Sequence, residues 1–579
     1  MKRVLITITA LVLTLIMPRA NACTNFLITK GASADGTCMI SYAADSHQLY
    51  GELYHYPAAD HPAGAMRDVY NWDMGTYTGQ IPEVAHTYNV VGNMNEWQLA
   101  IGETTYGGLE SLWNGPGLID YGSLIYITLQ RAKTAREAIK VMAELTAEYG
   151  YTSEGESFSI ADTEEVWILE MIGKGPQNKG AVWVARRIPD GYISGHANQA
   201  RITTFPLAKK NKTSITSKNI DKLLSDKNID CVYADDVISF AKQSKLYIGK
   251  DENFSFSDVY APVDFSGARF CDLRVWAMFN RLASGMDQYW DYATGRDIKR
   301  AKPIVKGMPL TPDNFPTNRM PLWIKPDKKV SLADVMTCMR DHLEGTELDM
   351  AGDIGAGPFA CPYRWRPMEF EVDGVTYIHE RTTATQQTGF SFVAQCRGDK
   401  GAQTGGIIWF GVDDTDNTVY CPMYSCITRI PECFRVGNGS MSEWSETSAF
   451  WIFNQMTNWA YTKYNYIHPE IAAKQSEFES AWINNKVPAA DKIASGSKKA
   501  ADAVEYLTKF SCEEADNMCK EWKTLYQKLF MKYMDGNLNT PQKPENGQKV
   551  APIKSEHPEY SKEYYKVLIE KTGDKYRAY

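Results

Sequence analysis

The chain has 579 residues, a net charge of −8 at neutral pH and 44% hydrophobic residues. This length is sufficient for a large core, arranged as one oversized domain or as two smaller ones. The composition is that of an ordinary globular protein. Its mild acidity, without a basic stripe that could neutralise phosphates, argues against nucleic acid as a partner.

The first residues have the parts of a secretory signal peptide. A basic start precedes a short apolar run that Pro18 breaks, and an Ala-Asn-Ala cleavage signal ends directly before Cys23. The apolar run is too short to cross a membrane, and no later stretch is long enough. The sequence therefore predicts that residues 1–22 are removed, that the mature chain begins at Cys23, and that the protein is exported to the periplasm or the extracellular space.

A lipoprotein is the alternative interpretation of a cysteine that follows a leader, because Cys23 would then be acylated and would tether the chain to a membrane. Lipoprotein signals usually carry a larger aliphatic residue three positions before the cysteine and a small one two positions before. This chain has Ala20 and Asn21 at those places. The sequence thus favours a free cysteine.

The mature N-terminus is predicted to form a β-hairpin. Residues 23–29 and 38–42 alternate and are rich in β-forming side chains, and Ala-Asp-Gly at 34–36 supplies the turn. Such a hairpin would pin Cys23 in a sheet instead of leaving it to fray, which a catalytic terminus requires.

The rest of the chain mixes both periodicities, which predicts an α+β fold. Residues 121–149 have a helical period in two stripes, with Thr134 as the N-cap of the second helix and Glu137 completing a capping box. The region from 488 onward is helical, with a loop at 540–552 before a final helix. Strands are predicted at 158–161, 166–170, 181–185, 389–393 and 406–410.

The cysteines do not form an obvious disulfide or metal framework. Twelve are present, so eleven remain beside Cys23, and this odd number leaves at least one further thiol unpaired. The pairs Cys421–Cys426 and Cys512–Cys519 are close enough in sequence for local bridges, or most of the cysteines are small buried hydrophobes. Without CxxC or HExxH spacing, no metal and no cofactor is expected.

An N-terminal cysteine carries a nucleophile and a base on one residue. Its α-amine titrates near ~7.7–8.0 in peptides, so at neutral pH it can take the thiol proton without a histidine. The thiolate then attacks a carbonyl, and a tetrahedral oxyanion, loss of an amine, a thioester and its hydrolysis follow. Asp45 follows the hairpin at a distance suited to orient the amine.

Several short motifs follow one another behind this cysteine. They are Cys-Thr-Asn at 23–25, Ala-Asp-Gly at 34–36, Ala-Asp-Ser at 44–46, Met-Asn-Glu at 94–96, Ile-Gly-Glu-Thr-Thr at 101–105, Leu-Gln-Arg-Ala at 129–132, Thr-Ala-Arg-Glu-Ala at 134–138, the segment 162–170, Gly-His-Ala-Asn at 195–198 and Leu-Arg-Val-Trp at 273–276. In this order they resemble the dipeptidase A family of N-terminal-nucleophile cysteine peptidases, which is related to penicillin V acylases, bile salt hydrolases and secernins. The likeness covers most of the mature chain.

The resemblance implies a four-layer αββα sandwich of two antiparallel sheets over residues 23–487, followed by a helical extension over 488–579 that packs on it. It also implies a peptidase that cleaves dipeptides or short peptides. By match to the family, Cys23 would be the nucleophile and base, Asp45 would hold the α-amine, and Asn198 would donate to the oxyanion.

Further site residues follow from the same resemblance. Arg274, or else Arg269, would be an active-site cation, and Thr104 falls near a polar residue of the acylase relatives. Relatives usually carry an arginine three residues before the aspartate, where this chain has Tyr42. Tyr42 can supply a hydrogen bond to the substrate pocket but not the charge. His196 is expected to be a packed or solvated loop histidine.

Two other functions stay open from the sequence. One is an amidase or acylase that acts on N-acyl amides, and the other is a non-catalytic surface protein that keeps the fold. The exchange of arginine for Tyr42 favours the second, whereas intact Cys23, Asp45 and Asn198 oppose it. A homo-oligomer is neither required nor excluded.

Overall fold

The computed structural model describes residues 23–364, 369–544, 547, 549–550 and 552–579. The predicted signal peptide, residues 1–22, lies outside them. The strands, in chain order, are β1 (Asn25–Ile28), β2 (Cys38–Asp45), β3 (His55–Tyr56), β4 (Ala59–Asp60), β5 (Met66–Tyr70), β6 (Tyr77–Pro82), β7 (His86–Thr87), β8 (Val90–Val91), β9 (Met94–Asn95), β10 (Ala100–Gly107), β11 (Gly155–Ala161), β12 (Val166–Gly173), β13 (Ala181–Arg187), β14 (Ile193–His196), β15 (Ser214–Thr216), β16 (Cys231–Tyr233), β17 (Trp323–Ile324), β18 (Glu369–Val372), β19 (Val375–Ile378), β20 (Thr388–Cys396), β21 (Gly406–Val412), β22 (Cys421–Tyr424), β23 (Leu538–Pro541) and β24 (Ile553–Glu556).

The helices pack around these strands. In chain order they are α1 (Tyr121–Leu129), α2 (Ala135–Tyr149), α3 (Lys222–Ser225), α4 (Val237–Gln243), α5 (Phe256–Tyr260), α6 (Leu273–Leu282), α7 (Trp290–Ala293), α8 (Leu332–Met339), α9 (Ala402–Gly405), α10 (Ala449–Thr462), α11 (Tyr464–Ala481), α12 (Val487–Ser495), α13 (Ala500–Tyr533) and α14 (Lys562–Thr572). The predicted α+β class is confirmed.

The N-terminal hairpin lies inside a seven-stranded sheet with the order β17-β14-β1-β2-β20-β21-β22. β1 pairs antiparallel with β2 on one side and with β14 on the other, so the predicted hairpin is confirmed. Every residue of β1 and β2 is buried, as expected for central strands covered on both faces. The chain that follows Cys23 is therefore fixed in the middle of the sheet.

The second large sheet has nine strands in the order β15-β16-β13-β12-β11-β10-β9-β8-β3. Its centre, β10 to β13, is an antiparallel meander of buried strands, and only its β15–β16 edge is parallel. The strands predicted near 158, 166 and 181 belong to this meander, and those predicted near 389 and 406 are β20 and β21. All five predictions are confirmed.

Helices cover both sheets, and the sheets contact each other. β1 and β2 pack against β10, and β2 also packs against β11. On the nine-stranded sheet α1 contacts β10 and α2 contacts β11 to β13, whereas α8 contacts β2 and β20 of the other sheet. The main hydrophobic core, whose buried residues extend from Cys23 to Tyr533, fills the space between these elements. Cys361, Tyr363 and Tyr461 form a small second cluster.

The two helices predicted within 121–149 are α1 and α2. Thr134 caps α2 by accepting a hydrogen bond from the backbone N–H of Glu137, as predicted. The predicted second hydrogen bond of the capping box, from the backbone N–H of Thr134 to the Glu137 carboxylate, is wrong. This carboxylate accepts instead from the N–H of Lys133 at 2.7 Å, one residue before the cap.

The C-terminal region is largely helical, as predicted. The long helix α13 packs on β22 and α10, where Trp522 stacks on Phe453 with ring centroids 4.7 Å apart. The final helix is α14, but the segment before it contains the strand pair β23–β24, which was not predicted. The boundary at 487 stays a prediction. Among the described residues, no helix combines the length and apolarity that crossing a membrane requires.

All twelve cysteines are unpaired thiols, and ten of them are buried. Neither Cys421–Cys426 nor Cys512–Cys519 forms a bridge. The alternative interpretation of the cysteines, as small buried hydrophobes, therefore agrees with the structure for most of them.

Candidate active site

Cys23 lies immediately before β1 and is only 6% exposed. The backbone of the next residue, Thr24, exchanges two hydrogen bonds with Ala43 on β2, at 3.2 and 2.9 Å. The Cys23 thiol sits 3.8 Å from the Tyr42 hydroxyl and 3.8 Å from Oε1 of Glu103. The thiol is thus fixed between one group from each of the two large sheets.

The surroundings of Cys23 keep its thiol protonated in the full-length chain. Burial raises the thiol pKa well above its ordinary value, and the carboxylates of Glu103 and Asp45 raise it further. The backbone N–H of Asp45 and the Tyr42 hydroxyl oppose this shift. A thiol in this setting needs a base beside it, because only the thiolate is a strong nucleophile.

Asp45 ends β2 and is bound by two side chains from the segment before and at the start of β20. Arg381 donates to Oδ2 at 2.5 Å, and the Thr388 hydroxyl donates to Oδ1 at 2.6 Å. Burial nonetheless raises the pKa of Asp45, although Arg381 and Arg274 lower it. Arg381 was not foreseen from the sequence, and it brings to this site a guanidinium that Tyr42 cannot provide.

Arg274, on α6, is 1% exposed and clamps the backbone around Cys23. Its Nη1 donates to the Cys23 carbonyl oxygen at 2.7 Å and to the Thr24 hydroxyl at 2.6 Å. Its Nη2 donates to the carbonyl oxygen of Ala197 and to Oδ1 of Asn198, both at 2.9 Å. These contacts fix the direction in which β1 leaves Cys23.

Asn198 follows β14 with a backbone φ of 65°, in the left-handed region that asparagine tolerates better than most residues. Its side-chain oxygen accepts from Arg274, and its side-chain nitrogen donates to the carbonyl oxygen of Thr105 at 2.6 Å. Asn198 therefore links α6 to β10 beside Cys23. Its role as oxyanion donor stays a prediction.

Thr104 does not point toward the thiol. Its hydroxyl lies 2.7 Å from Nδ1 of His196, whose Nε2 lies 2.7 Å from the Ser159 hydroxyl. Burial lowers the pKa of His196 to about 3, so the imidazole is neutral and cannot store a proton at neutral pH. Neighbouring residues of a strand face opposite sides, and here Glu103, not Thr104, reaches Cys23.

Glu103 and Glu156 form a pair of buried carboxyl groups at the thiol. Oε1 of Glu103 accepts from the Tyr42 hydroxyl at 2.6 Å, and Oε1 of Glu156 accepts from the Thr105 hydroxyl at 2.9 Å. Burial raises the pKa of Glu103 to about 7. Burial and then the charge of Glu103 raise the pKa of Glu156 well above its ordinary value.

Arg269 lies in the π-helix Gly267–Asp272 that leads into α6. Its Nη2 donates to Glu380 at 2.8 Å, and its Nη1 donates to the carbonyl oxygen of Thr294 at 3.3 Å. Glu380 directly precedes Arg381, so Arg269 is connected to Asp45 through this segment and has no hydrogen bond to Cys23 among the described contacts.

The structure thus brings together Cys23, Tyr42, Asp45, Arg274 and Asn198. Thr104 and Arg269 form their hydrogen bonds with other residues. Sequence reasoning missed three further groups at this site: Glu103, Glu156 and Arg381. Glu103 was inside a recognised motif, Ile-Gly-Glu-Thr-Thr, and strand alternation could have selected it over its neighbour. Within the described part of the chain, no group of His, Cys, Asp and Glu is arranged to hold a metal ion.

Comparison with known proteins finds relatives that are named dipeptidases. A protein named "Probable dipeptidase" from Latilactobacillus sakei is 23% identical over 512 residues, which cover 84% of this chain and 90% of the relative. A "Probable dipeptidase B" from Streptococcus pyogenes serotype M1 is 21% identical over 534 residues, covering 88% of this chain and 92% of the relative. A "Dipeptidase" from Bifidobacterium longum (strain NCC 2705) is 28% identical over 243 residues, covering 42% of this chain and 38% of the relative. The family profile of peptidase family C69 matches residues 22–477, and the chain therefore belongs to this peptidase family.

Proposed function

We propose that this peptidase is an exported cysteine dipeptidase whose nucleophile is the N-terminal Cys23 of the mature chain. The observation that carries the proposal is the position of Cys23: its thiol lies between Tyr42 and Glu103, and its carbonyl is held by Arg274. The names of the relatives, which describe dipeptidases, support the same substrate class.

Cleavage after Ala22 gives this site its base. It frees the nitrogen of Cys23 as an α-amine, whose ordinary pKa of about 8 lets it accept the thiol proton at neutral pH. The thiolate attacks the scissile carbonyl carbon, and the oxyanion collapses to a thioester as the amine of the second residue leaves with a proton. Water then hydrolyses the thioester, which releases the first amino acid and restores the thiol.

The neighbouring groups have separate tasks in this mechanism. Asp45, held by Arg381 and Thr388, orients the α-amine of Cys23. Asn198 stabilises the oxyanion, and Arg274 keeps the Cys23 backbone in place. These assignments rest on the family match together with the contacts described above.

The arrangement of layers supports an N-terminal-nucleophile fold. Two sheets contact each other through β1, β2, β10 and β11, and helices lie against both sheets. We propose that these elements form the αββα sandwich of that class, with residues 488–579 as an extension. We also propose that residues 1–22 direct export to the periplasm or the extracellular space.

Dipeptide hydrolysis by protein that starts at Cys23 tests the proposal. We expect a mixed dipeptide panel to release free amino acids with the parent, none with Cys23→Ala, and parent-like amounts with Cys512→Ala. Cys512 is a matched control because it is a free cysteine on α13, remote from the site. Comparable rates on dipeptides and their N-acetylated forms would favour the acylase alternative, and no release by the parent would favour the non-catalytic one.

A second test concerns the leader. Protein that retains residues 1–22 should be inactive, because the nitrogen of Cys23 is then locked in a peptide bond and cannot accept a proton. Mass spectrometry of the assayed sample establishes that the leader is intact. Full activity of verified uncleaved protein would overturn the proposed base.

A further inference from the structure

We propose that Glu103 and Glu156 form the binding site for the α-ammonium group of the substrate, an inference that rests on the proposed dipeptidase function. A dipeptide differs from an N-acyl amide by this single positive charge. The two carboxyl groups give the chain a means to select for it, and they are assigned no other role in the proposed reaction.

The first argument is hydrogen bonding. Glu103 and Glu156 are 2% and 0% exposed, and each uses only Oε1, toward Tyr42 and Thr105 respectively. Oε2 of each carboxyl group accepts no hydrogen bond from an N–H or O–H donor of the residues that the structure describes, and the two carboxyl groups can bond only to each other, through a shared proton. Buried polar atoms are nearly always paired in folded proteins, so an acidic pair beside a nucleophile that receives no N–H or O–H donor at either Oε2 is suited to a ligand that donates hydrogen bonds. An ammonium group has three N–H donors.

The second argument is charge. The other carboxylate near Cys23, Asp45, is neutralised by Arg381 at 2.5 Å. Neither glutamate forms an ion pair with the Lys, Arg or His residues that the structure describes. Further carboxylates add to the negative potential: Asp73 raises the pKa of Glu103 and Glu154 raises that of Glu156. A buried acidic pair without a cation avoids the cost of its charge by keeping protons, and an ammonium ligand would stabilise the ionised form of the pair.

The third argument is distance. The α-nitrogen of a dipeptide lies about 2.5 Å from the scissile carbonyl carbon. That carbon must approach the attacking sulfur to about 3–3.5 Å. The ammonium group therefore lies within roughly 6 Å of the Cys23 sulfur, and Oε1 of Glu103 borders this region at 3.8 Å. Glu156 is a diagonal cross-strand neighbour of Glu103 and extends the same acidic surface.

Binding measured without turnover tests the site directly. In a Cys23→Ala background, alanyl-alanine should bind at least tenfold more tightly than propionyl-alanine, which has the same shape without the amine. Adding Glu103→Gln should remove most of this preference, because a charge-assisted hydrogen bond becomes a neutral one. The affinity for alanyl-alanine should fall about 10- to 100-fold. The glutamine keeps an oxygen for Tyr42, and Glu156→Gln provides a second variant.

Glu170→Gln is the matched control. Glu170 is also a buried glutamate whose pKa burial raises to about 7, but its oxygens accept from the backbone N–H groups of Arg201 and Ile202. This variant should keep the preference for alanyl-alanine. Thermal unfolding of each variant distinguishes loss of recognition from loss of the fold.

The outcomes separate the site from the function. An equal loss of affinity for both ligands in Glu103→Gln and Glu156→Gln would overturn the proposal. The pair would then bind the α-amine of residue 23 itself or serve only to stabilise the fold. Unchanged dipeptide binding in both variants would also overturn it. Failure of the parent to hydrolyse any dipeptide would reject the dipeptidase function, whereas a charge preference abolished by Glu103→Gln would still establish the ammonium site.

Discussion

Arg381 supplies Asp45 with a cation that lies far from Asp45 in the sequence. The family resemblance leads us to expect an arginine at the position of Tyr42, and its replacement by tyrosine favours a protein without activity. In the structure a guanidinium reaches Asp45 from a segment 336 residues further along the chain. Tyr42 itself bonds to Glu103 and touches the Cys23 thiol. Asp45 therefore has a cation although Tyr42 carries no charge.

Removal of this guanidinium should destabilise the fold. Arg381→Gln leaves Asp45 buried without its cation, and loss of one partner of a buried ion pair typically costs about 3–5 kcal/mol of the free energy of unfolding. Urea unfolding should show this loss, with Arg435→Gln as the control, because Arg435 pairs with Glu432 on the surface and such pairs contribute about 0–1 kcal/mol. The Asp45→Asn and Arg381→Gln double variant should lose less than the sum of the single ones. Simple additivity would contradict this account.

Positions at the site were predictable only where a motif or a predicted chain end marked them. The proximity of Cys23 and Asp45 could be expected because a predicted cleavage signal and a hairpin define their positions. Glu103 could not be selected over Thr104 without knowing which face of β10 meets the other sheet. Arg381 had no local signal, since its partner is determined by the tertiary fold alone.

At the scale of elements, the sequence predicted what local patterns control. Buried strands such as β11, β12 and β20 were found because they are short runs of β-branched and aromatic residues bounded by turns. The β23–β24 pair was missed because the strands are exposed and contain Lys, Asn and Pro, which weaken the strand signal. The sheet order was also not predictable, because β1 lies between β2, its partner in the hairpin, and β14, a strand that comes much later in the chain (Ile193–His196).

The π-helix before α6 predicts a positioning role for Arg269. This irregular turn directs Arg269 to Glu380, next to Arg381, and π-helical turns frequently occur at functional sites. Arg269→Gln should lower kcat about tenfold, a loss of about 1.4 kcal/mol in transition-state stabilisation, with little change in KM. Its effect should be non-additive with Arg381→Gln by about 0.5–3 kcal/mol, as for residues in one network.

Two controls distinguish this role from a general loss of structure. Arg269→Lys, which keeps the charge opposite Glu380, should restore part of kcat. Arg281→Gln removes a comparable ion pair, with Asp341, at the other end of α6 and should leave kcat unchanged. Independent effects of the Arg269 and Arg381 variants on kcat would contradict the proposed coupling.

At the scale of the whole molecule, the site is assembled from segments spread along most of the chain. Cys23 and Asp45 come from the first hairpin, Glu103 from the other sheet, Arg274 from α6 and Arg381 from the connection between β19 and β20. One hydrophobic core contains residues of the hairpin, β10 and α6, and the Arg381 segment is attached to the hairpin through Asp45. The geometry of the site therefore depends on global stability, and conditions that weaken the core should also weaken catalysis.

The buried acids make this stability depend on pH. Burial raises the pKa values of Glu103, Glu170 and Asp413 to about 7 in the folded chain, whereas unfolded carboxyl groups titrate near about 4. The folded state thus keeps protons that the unfolded chain releases. The stability that these groups contribute is complete below about pH 4 and is lost as the pH rises through 7.

Two histidines also contribute to the dependence of folding stability on pH, and the net change in stability with pH can be measured. Burial lowers the pKa of His196 to about 3, which opposes the carboxyl groups below about pH 6.5. Neighbouring carboxylates outweigh the burial of His342 and raise its pKa to about 9, which acts in the same direction as the raised carboxyl groups above that pH. We therefore expect the free energy of unfolding in urea to fall from pH 5.5 to pH 8.5. The slope should become shallower in Glu170→Gln, which has no proton to lose there, and a free energy that stays constant or rises over this interval would show that these groups are not buried as described.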